Sequence, residues 1–176
     1  SDKKIIFDQI KKLYLENRYS LNKDELKKIF SSNTIVEKYE IFKIYPSTLL
    51  INIQKTNFLA KINYDQKVFL VGSNGKLSKE KLSNLKLPYI FGKPNIEEFL
   101  NFKRIIDESK ISYNQIKNIY YFQSGRWDLE LENNNLVKLP KENIIDSLNN
   151  YFEFIKYNNF LDNKIVDMRI DSQIII

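Results

Sequence analysis

The sequence predicts an α+β fold: a small N-terminal unit of two helices on two strands, residues 1–56, followed by a mixed, strand-rich unit with two helices, residues 57–176. Three observations carry this. Apolar residues recur every three or four positions before residue 30 and every second position after residue 36. Beyond residue 57, short strand patterns follow one another between turn residues, interrupted by two further helical patterns. Hydrophobic residues make up 43% of the chain and charged residues 28%, enough apolar material to close a core without metal or disulfide.

Ser1 and Asp2 are placed to cap a first helix with Ile5, Ile6, Ile10, Leu13 and Tyr14 on one face. Asn22, followed by Asp24 and Glu25, opens a second helix whose buried stripe is Leu26, Ile29 and Phe30. Residues 36–44 read as a strand. Tyr45-Pro46-Ser47-Thr48 reads as a tight turn in which Pro46 presets φ. Residues 49–53 return as a second strand, with Leu49, Ile51 and Ile53 on one face and Leu50 and Asn52 on the other. Two strands under two helices make a thin core, which a further strand before Ser1 would complete.

In the second unit, residues 58–63 and 67–71 form a hairpin with Asp65-Gln66 near its turn. Gly72-Ser73-Asn74-Gly75 is a further turn, and its Asn-Gly pair suits the positive φ of a type I′ loop. Residues 87–92 are extended. Residues 95–107 form a helix capped by Asn95, with Glu97 and Glu98 in the first turn. Residues 116–122 form a strand. Residues 127–132 form another, with Trp127, Leu129 and Leu131 inward and Asp128, Glu130 and Glu132 outward. Residues 136–139 are a short strand, Pro140 marks a helix start, and residues 142–157 continue it with Ile145, Leu148, Phe152 and Ile155 inward. Residues 165–174 are the final strand, with Val166, Met168 and Ile170 alternating against Asp167, Arg169 and Asp171.

Composition removes several function classes. The chain has no Cys and no His, so thiol chemistry, Cys/His zinc sites and histidine triads are absent. The net charge of +6 favours anionic partners, but its lysine pairs alternate with acids, and a basic nucleic-acid-binding domain is kept as an alternative only. No apolar run reaches the roughly 20 residues of a membrane helix, and no signal peptide opens the chain; a targeting segment is expected outside it. No internal repeat of solenoid or propeller period is present.

Few constellations carry chemistry. Asp128, Glu130 and Glu132 share a strand face, where alternating acids are expected to be solvated. Gly72-Ser73-Asn74-Gly75-Lys76 lacks phosphate-loop spacing and reads as a hairpin turn. Lys117-Asn118-Ile119-Tyr120-Tyr121-Phe122 could stack bases, but no nucleic-acid signature accompanies it, and a strand with one core face accounts for it. Trp127, the single tryptophan, is expected as a core anchor beside Leu129, with Arg126 pairing with an acid on the opposite face. The last strand reads equally as an edge open to a partner strand or as one covered by a neighbour. No catalytic residue, metal site or cofactor is implied, and an enzyme is the least expected class.

These residues resemble the FtsQ/DivIB family of bacterial cell-division proteins. Val36-Glu37-Lys38-Tyr39-Glu40-Ile41-Phe42-Lys43-Ile44-Tyr45-Pro46-Ser47-Thr48-Leu49-Leu50-Ile51-Asn52-Ile53 is similar to the closing strands of that family's POTRA domain, with Tyr39 where a small residue is usual. Phe58-Leu59-Ala60, Val71 to Gly75, Leu87-Pro88 with Ile90 and Gly92, Gly125-Arg126-Trp127-Asp128-Leu129, Leu136-Val137-Lys138-Leu139-Pro140 and Val166-Asp167-Met168-Arg169 resemble the motifs that follow, in family order. The Arg-Trp-Asp-Leu and Leu-Pro forms look most like alphaproteobacterial members. The resemblance implies a POTRA-like domain over 1–56, lacking its first strand, and a β domain over 57–176. It implies a single-pass inner-membrane protein with this fragment in the periplasm, anchored by a segment outside this chain. It implies a non-enzymatic scaffold of the divisome, without nucleic acid, that binds FtsB and FtsL by strand addition and could meet other divisome components through its POTRA half. Carried over by position, Arg169, Ile170, Asp171 and Ser172 fall on the contact strand, Gln173 and Ile174 continue it, and Phe154 lies on the adjacent helix. Pro46, Leu49, Trp127, Leu129 and Asp167 are expected to be structural. The alternative within the same fold is a POTRA-type module of an outer-membrane assembly or secretion system.

Overall fold

The computed structural model describes residues 6–8, 10–12, 23–44, 48–79, 85–157, 163–170 and 173–176. The expected Ser1-Asp2 cap, Asn22, Pro46 and its turn, Asp171 and Ser172 lie outside the described residues. The fold is α+β. Two units are distinguished: Ser1–Asn57 with Gly72–Ser78, and Phe58–Val71 with Lys79–Ile176. The sequence boundary near residue 56 therefore misses one segment: the turn at 72–78 belongs to the first unit.

In the first unit, residues 6–8 and 10–12 are helical. Helix α1 spans Lys23–Ser32, strand β1 Val36–Ile44 and strand β2 Thr48–Lys55. Leu26 and Phe30 are buried four residues apart on α1, as the helical period requires. Together with Ile6 and Val36 they form a core onto which Tyr39, Ile41, Leu49 and Ile51 pack from the antiparallel β1–β2 pair. The Phe30 and Tyr39 rings stack at 4.5 Å. Ile53 was expected on this face and is instead exposed, two residues before the strand ends at Lys55.

The 72–78 turn makes side-chain bonds to polar groups of this unit. Asn74 Nδ2 donates to the carbonyls of Thr34 at 3.1 Å and Val36 at 3.0 Å. The Ser73 hydroxyl donates to Glu37 at 2.9 Å, and the Ser78 hydroxyl donates to Thr34 Oγ1 at 2.7 Å. Lys76 Nζ donates to the Ser31 carbonyl at 2.7 Å, neutralising the C-terminal end of α1. Only Gly75 takes positive φ here (73°), while Ser73 and Asn74 do not. The type I′ turn expected at Asn-Gly is thus corrected to a turn closed by Gly75 N–H to Gly72 O (3.0 Å), with Asn74 spending its side chain on tertiary bonds. The loop with two positive φ values is Asp65-Gln66 (48° and 62°), which joins the strands Phe58–Tyr64 and Lys67–Gly72.

Ten strands are described: β1 and β2, then β3 (Phe58–Tyr64), β4 (Lys67–Gly72), β5 (Leu77–Lys79), β6 (Tyr89–Phe91), β7 (Ile116–Tyr121), β8 (Trp127–Leu131), β9 (Leu136–Lys138) and β10 (Ile165–Asp167). The large sheet runs β10-β9-β8-β7-β6-β3-β4-β5. Parallel neighbours need a crossover, and two are helical. Helix α2 (Ile96–Glu108) joins β6 to β7, and helix α3 (Ile144–Tyr157) joins β9 to β10. Asn95 caps α2 as expected, and Glu98, expected only as a first-turn acid, completes a capping box with it.

One row of residues crosses six strands in register: Ile62, Ile90, Ile119, Leu129, Val137 and Val166. All are at most 1% exposed. Trp127, on the same β8 face as Leu129, stacks on Phe102 of α2 at 4.5 Å and 5°, which marks this as the helix-covered face. Helix α3 starts at Ile144 and not at Glu142, because Asn143 takes positive φ (55°). Its buried residues are Leu148 and Tyr151. Ile145, Phe152 and Ile155 are half-buried. Tyr151 was not anticipated. It is fully buried because its hydroxyl accepts from Asn135 Nδ2 at 3.3 Å, while Asn135 Oδ1 accepts from Lys164 N–H at 2.9 Å. Among the described residues no helix is long and apolar enough to cross a membrane.

Candidate partner-binding site

The final strand is shorter than its alternation suggests. β10 ends at Asp167, and its even positions face β9: Lys164 O accepts from Leu136 N–H at 2.9 Å, and Met168 N–H donates to Lys138 O at 2.9 Å. Its odd positions therefore face the sheet's outer edge. That edge is partly taken. Asp167 N–H donates to Ile175 O at 2.8 Å, and Ile175 N–H donates to Asp167 O at 3.1 Å, an antiparallel bridge. A turn bond from Gln173 N–H to Ile170 O (3.2 Å) accompanies the return. The continuous strand expected over 165–174 is corrected accordingly: Met168 to Ile170 leave the ladder, and Gln173 to Ile176 come back beside it.

Between this returning segment and α3 lies a cleft of about 600 Å³. It gathers most of the expected contact residues: Phe154 from the helix, and Arg169, Ile170, Gln173 and Ile174 from the segment. Phe154 and Ile174 are half-buried, whereas Ile170 is 51% exposed. Met168, buried, closes the floor and was not singled out from the sequence. The opposite wall is the polar face of α3, where Asp146, Asn150, Glu153 and Tyr157 recur at three- and four-residue spacing. That spacing was readable in the sequence.

Arg169 is oriented by Asp167. Its Nε donates to both carboxylate oxygens (2.8 and 3.0 Å), and its Nη2 adds a further short bond. Asp167 also accepts from Arg169 N–H at 3.1 Å. These bonds from Arg169 hold the Asp167 carboxyl below its ordinary range, and the carboxylate in turn raises Arg169. Asp167 thus serves both backbone and side chain at the point where the strand ends. The remaining structural expectations fall within packing: Leu49 on the first core, Leu129 in the apolar row and Trp127 buried against Phe102 and Tyr121.

Of the three acids expected to be solvated, Glu132, just past β8, is exposed, whereas Asp128 and Glu130 are not. Asp128 is 3% exposed; its Oδ1 accepts from Leu139 N–H at 3.2 Å, and Arg126 forks onto both oxygens at 3.2 and 3.3 Å. Arg126 therefore pairs with its own strand's acid, and its guanidinium lies over Phe122. Glu130 accepts from Asn118 Nδ2 (2.9 Å) and the Tyr120 hydroxyl (2.7 Å) across the β7–β8 register, and pairs with Lys117 at 3.0 Å. The bonds from Asn118 and Tyr120 hold Glu130 at about 2, while burial and Glu130 push Tyr120 up to about 12. Phe91 stacks on Tyr120 at 5.0 Å. Glu132 meets Lys86 at 3.2 Å. These residues are committed to one another, which accounts for the β7 aromatics without bases to stack on.

The profile of the cell division protein FtsQ/DivIB C-terminal family matches residues 60–169. Among solved structures, the chain is similar to the major extracytoplasmic domain of the trans isomer of the bacterial cell division protein DivIB from Geobacillus stearothermophilus. The identity is 14%, over 60% of this chain and 96% of that chain, with a TM-score of 0.43, too low to carry an argument. No curated protein sequence matches.

Proposed function

Given that the chain belongs to the FtsQ/DivIB family of cell-division proteins, we propose that it is a non-catalytic scaffold of the divisome that binds FtsB- and FtsL-type partners at the β10 edge and the α3 cleft. The supporting observation is the convergence of Phe154, Arg169, Ile170, Gln173 and Ile174 on one cleft at the last strand of the sheet. An edge strand gives affinity through main-chain pairing, and side chains seated in the adjacent cleft give specificity. Ile165 and Asp167 offer the outward main-chain groups; Asp171 and Ser172 belong to the same contact segment. The N-terminal unit, completed by the 72–78 turn, acts as a POTRA-type module, and the rest of the chain as the β domain. The protein works in the periplasm, held to the inner membrane by a segment outside this chain.

The test is a calorimetric titration against a soluble periplasmic FtsB–FtsL pair from the same organism, with Ile170→Glu as control. Saturable binding that is lost in the folded variant supports the reading. Undiminished binding by a variant whose circular dichroism is unchanged refutes it.

A further inference from the structure

The segment returning to β10 uses the same groups a partner strand needs. Asp167 directs one N–H and one C=O outward, and Ile175 occupies both. Each backbone group makes one good ladder bond, so tail and partner cannot pair with Asp167 together. Side chains repeat the pattern: Ile174, next to the bridge, is half-buried and lines the cleft together with Phe154 and Met168. Main chain on the edge and an apolar side chain in the cleft are the two features of an added strand.

We infer that Gln173–Ile176 is an intramolecular placeholder that holds the β10 edge and its cleft until a partner displaces it, so that Gln173 and Ile174 line the cleft as stand-ins for the partner and Phe154, Arg169 and Ile170 are left to contact it. The displacing partner is an extended segment that pairs antiparallel with Asp167 and presents an apolar side chain where Ile174 lies. This rests on the partner-binding reading above and adds its regulation. A site that is open only part of the time binds with an affinity reduced by the open fraction. Two exposed-edge backbone bonds, each worth about 0.5–1 kcal/mol net, hold the closed form by roughly 5- to 30-fold.

The experiment uses the full chain and Ile175→Pro, which removes the N–H that reaches Asp167 O at an exposed position. Ile174→Ser provides a second variant that vacates the cleft without altering the main chain. Amide hydrogen exchange reads the bridge alone: protection of the Asp167 N–H is expected to fall in Ile175→Pro by roughly 2- to 5-fold for the one bond removed. Titration with the FtsB–FtsL pair reads competition: both variants are expected to bind more tightly, Ile175→Pro by up to the same factor. Unchanged protection, or binding that is equal or weaker in both variants, overturns the placeholder while leaving the partner site standing. Absence of binding to the parent and both variants overturns the partner reading itself, and the placeholder with it.

Discussion

Glu130 allows a stability contribution to be worked from geometry and then removed by pH. Its carboxylate accepts from Asn118 and Tyr120 and pairs with Lys117, which holds it at about 2 against an ordinary 4.5. That difference corresponds to about 3 kcal/mol. With 19% of the side chain in solvent, about 2 kcal/mol is the better figure. The sign follows from linkage: a depressed carboxyl stabilises fully above its unfolded value, and the contribution is lost as pH falls from about 4.5 through about 2. Glu130→Gln removes the charge and keeps the shape. Urea unfolding followed by the fluorescence of Trp127, the only tryptophan, should show the variant about 2 kcal/mol less stable at pH 7 and nearly equal at pH 2. Tyr120 supplies the alkaline counterpart. Its raised value stabilises below pH 10, and the benefit disappears as pH rises from 10 through about 12. In Glu130→Gln that loss should be smaller and complete at lower pH. A difference between parent and variant that stays constant from pH 7 to pH 2 would refute the reasoning, since it would assign the loss to packing.

Two further predictions concern the turns. Asn74→Ala leaves the carbonyls of Thr34 and Val36 and the Lys76 N–H without their bonds, and should cost about 2–3 kcal/mol in denaturant unfolding. Asn74→Asp should cost more at neutral pH, because a carboxylate would face those two carbonyls; an Asp variant as stable as the parent contradicts the assigned amide orientation. Gly92→Ala would place a Cβ 2.3 Å from Tyr121 O at a φ of +101°, so a loss above about 3 kcal/mol is expected in the unfolding midpoint, and a near-neutral variant counts against the close approach.

Strand positions were legible where apolar and polar residues alternate, as with Trp127, Leu129 and Leu131, because a two-residue period survives in the sequence. Helix α2 was legible to its cap because Asn95 and Glu98 signal locally. The burial of the second face of β8 was not: Asp128 reads as an outward acid, and only Leu139 N–H and Arg126, brought to it by the fold, make its burial tolerable. The same holds for Tyr151, whose partner Asn135 lies 16 residues away on a loop. In the cleft, the expected contact residues came from the resemblance, while the end of β10 at Asp167 was hidden. Val166, Met168 and Ile170 alternate as a strand would, but Ile170 is exposed and the ladder has already stopped. Gly92 shows the opposite case: a motif position whose physical reason, positive φ beside a carbonyl, emerges only from the structure.

The 72–78 turn also bears on how the chain is made. Its bonds to Ser31, Thr34, Val36 and Glu37 span 36 to 45 residues of sequence. During synthesis residues 31–57 leave the ribosome before the groups that complete these bonds, and the small unit cannot finish until Ser78 has followed. It must wait for a turn translated after it, so an order in which this unit folds fully before the next segment is made does not hold here.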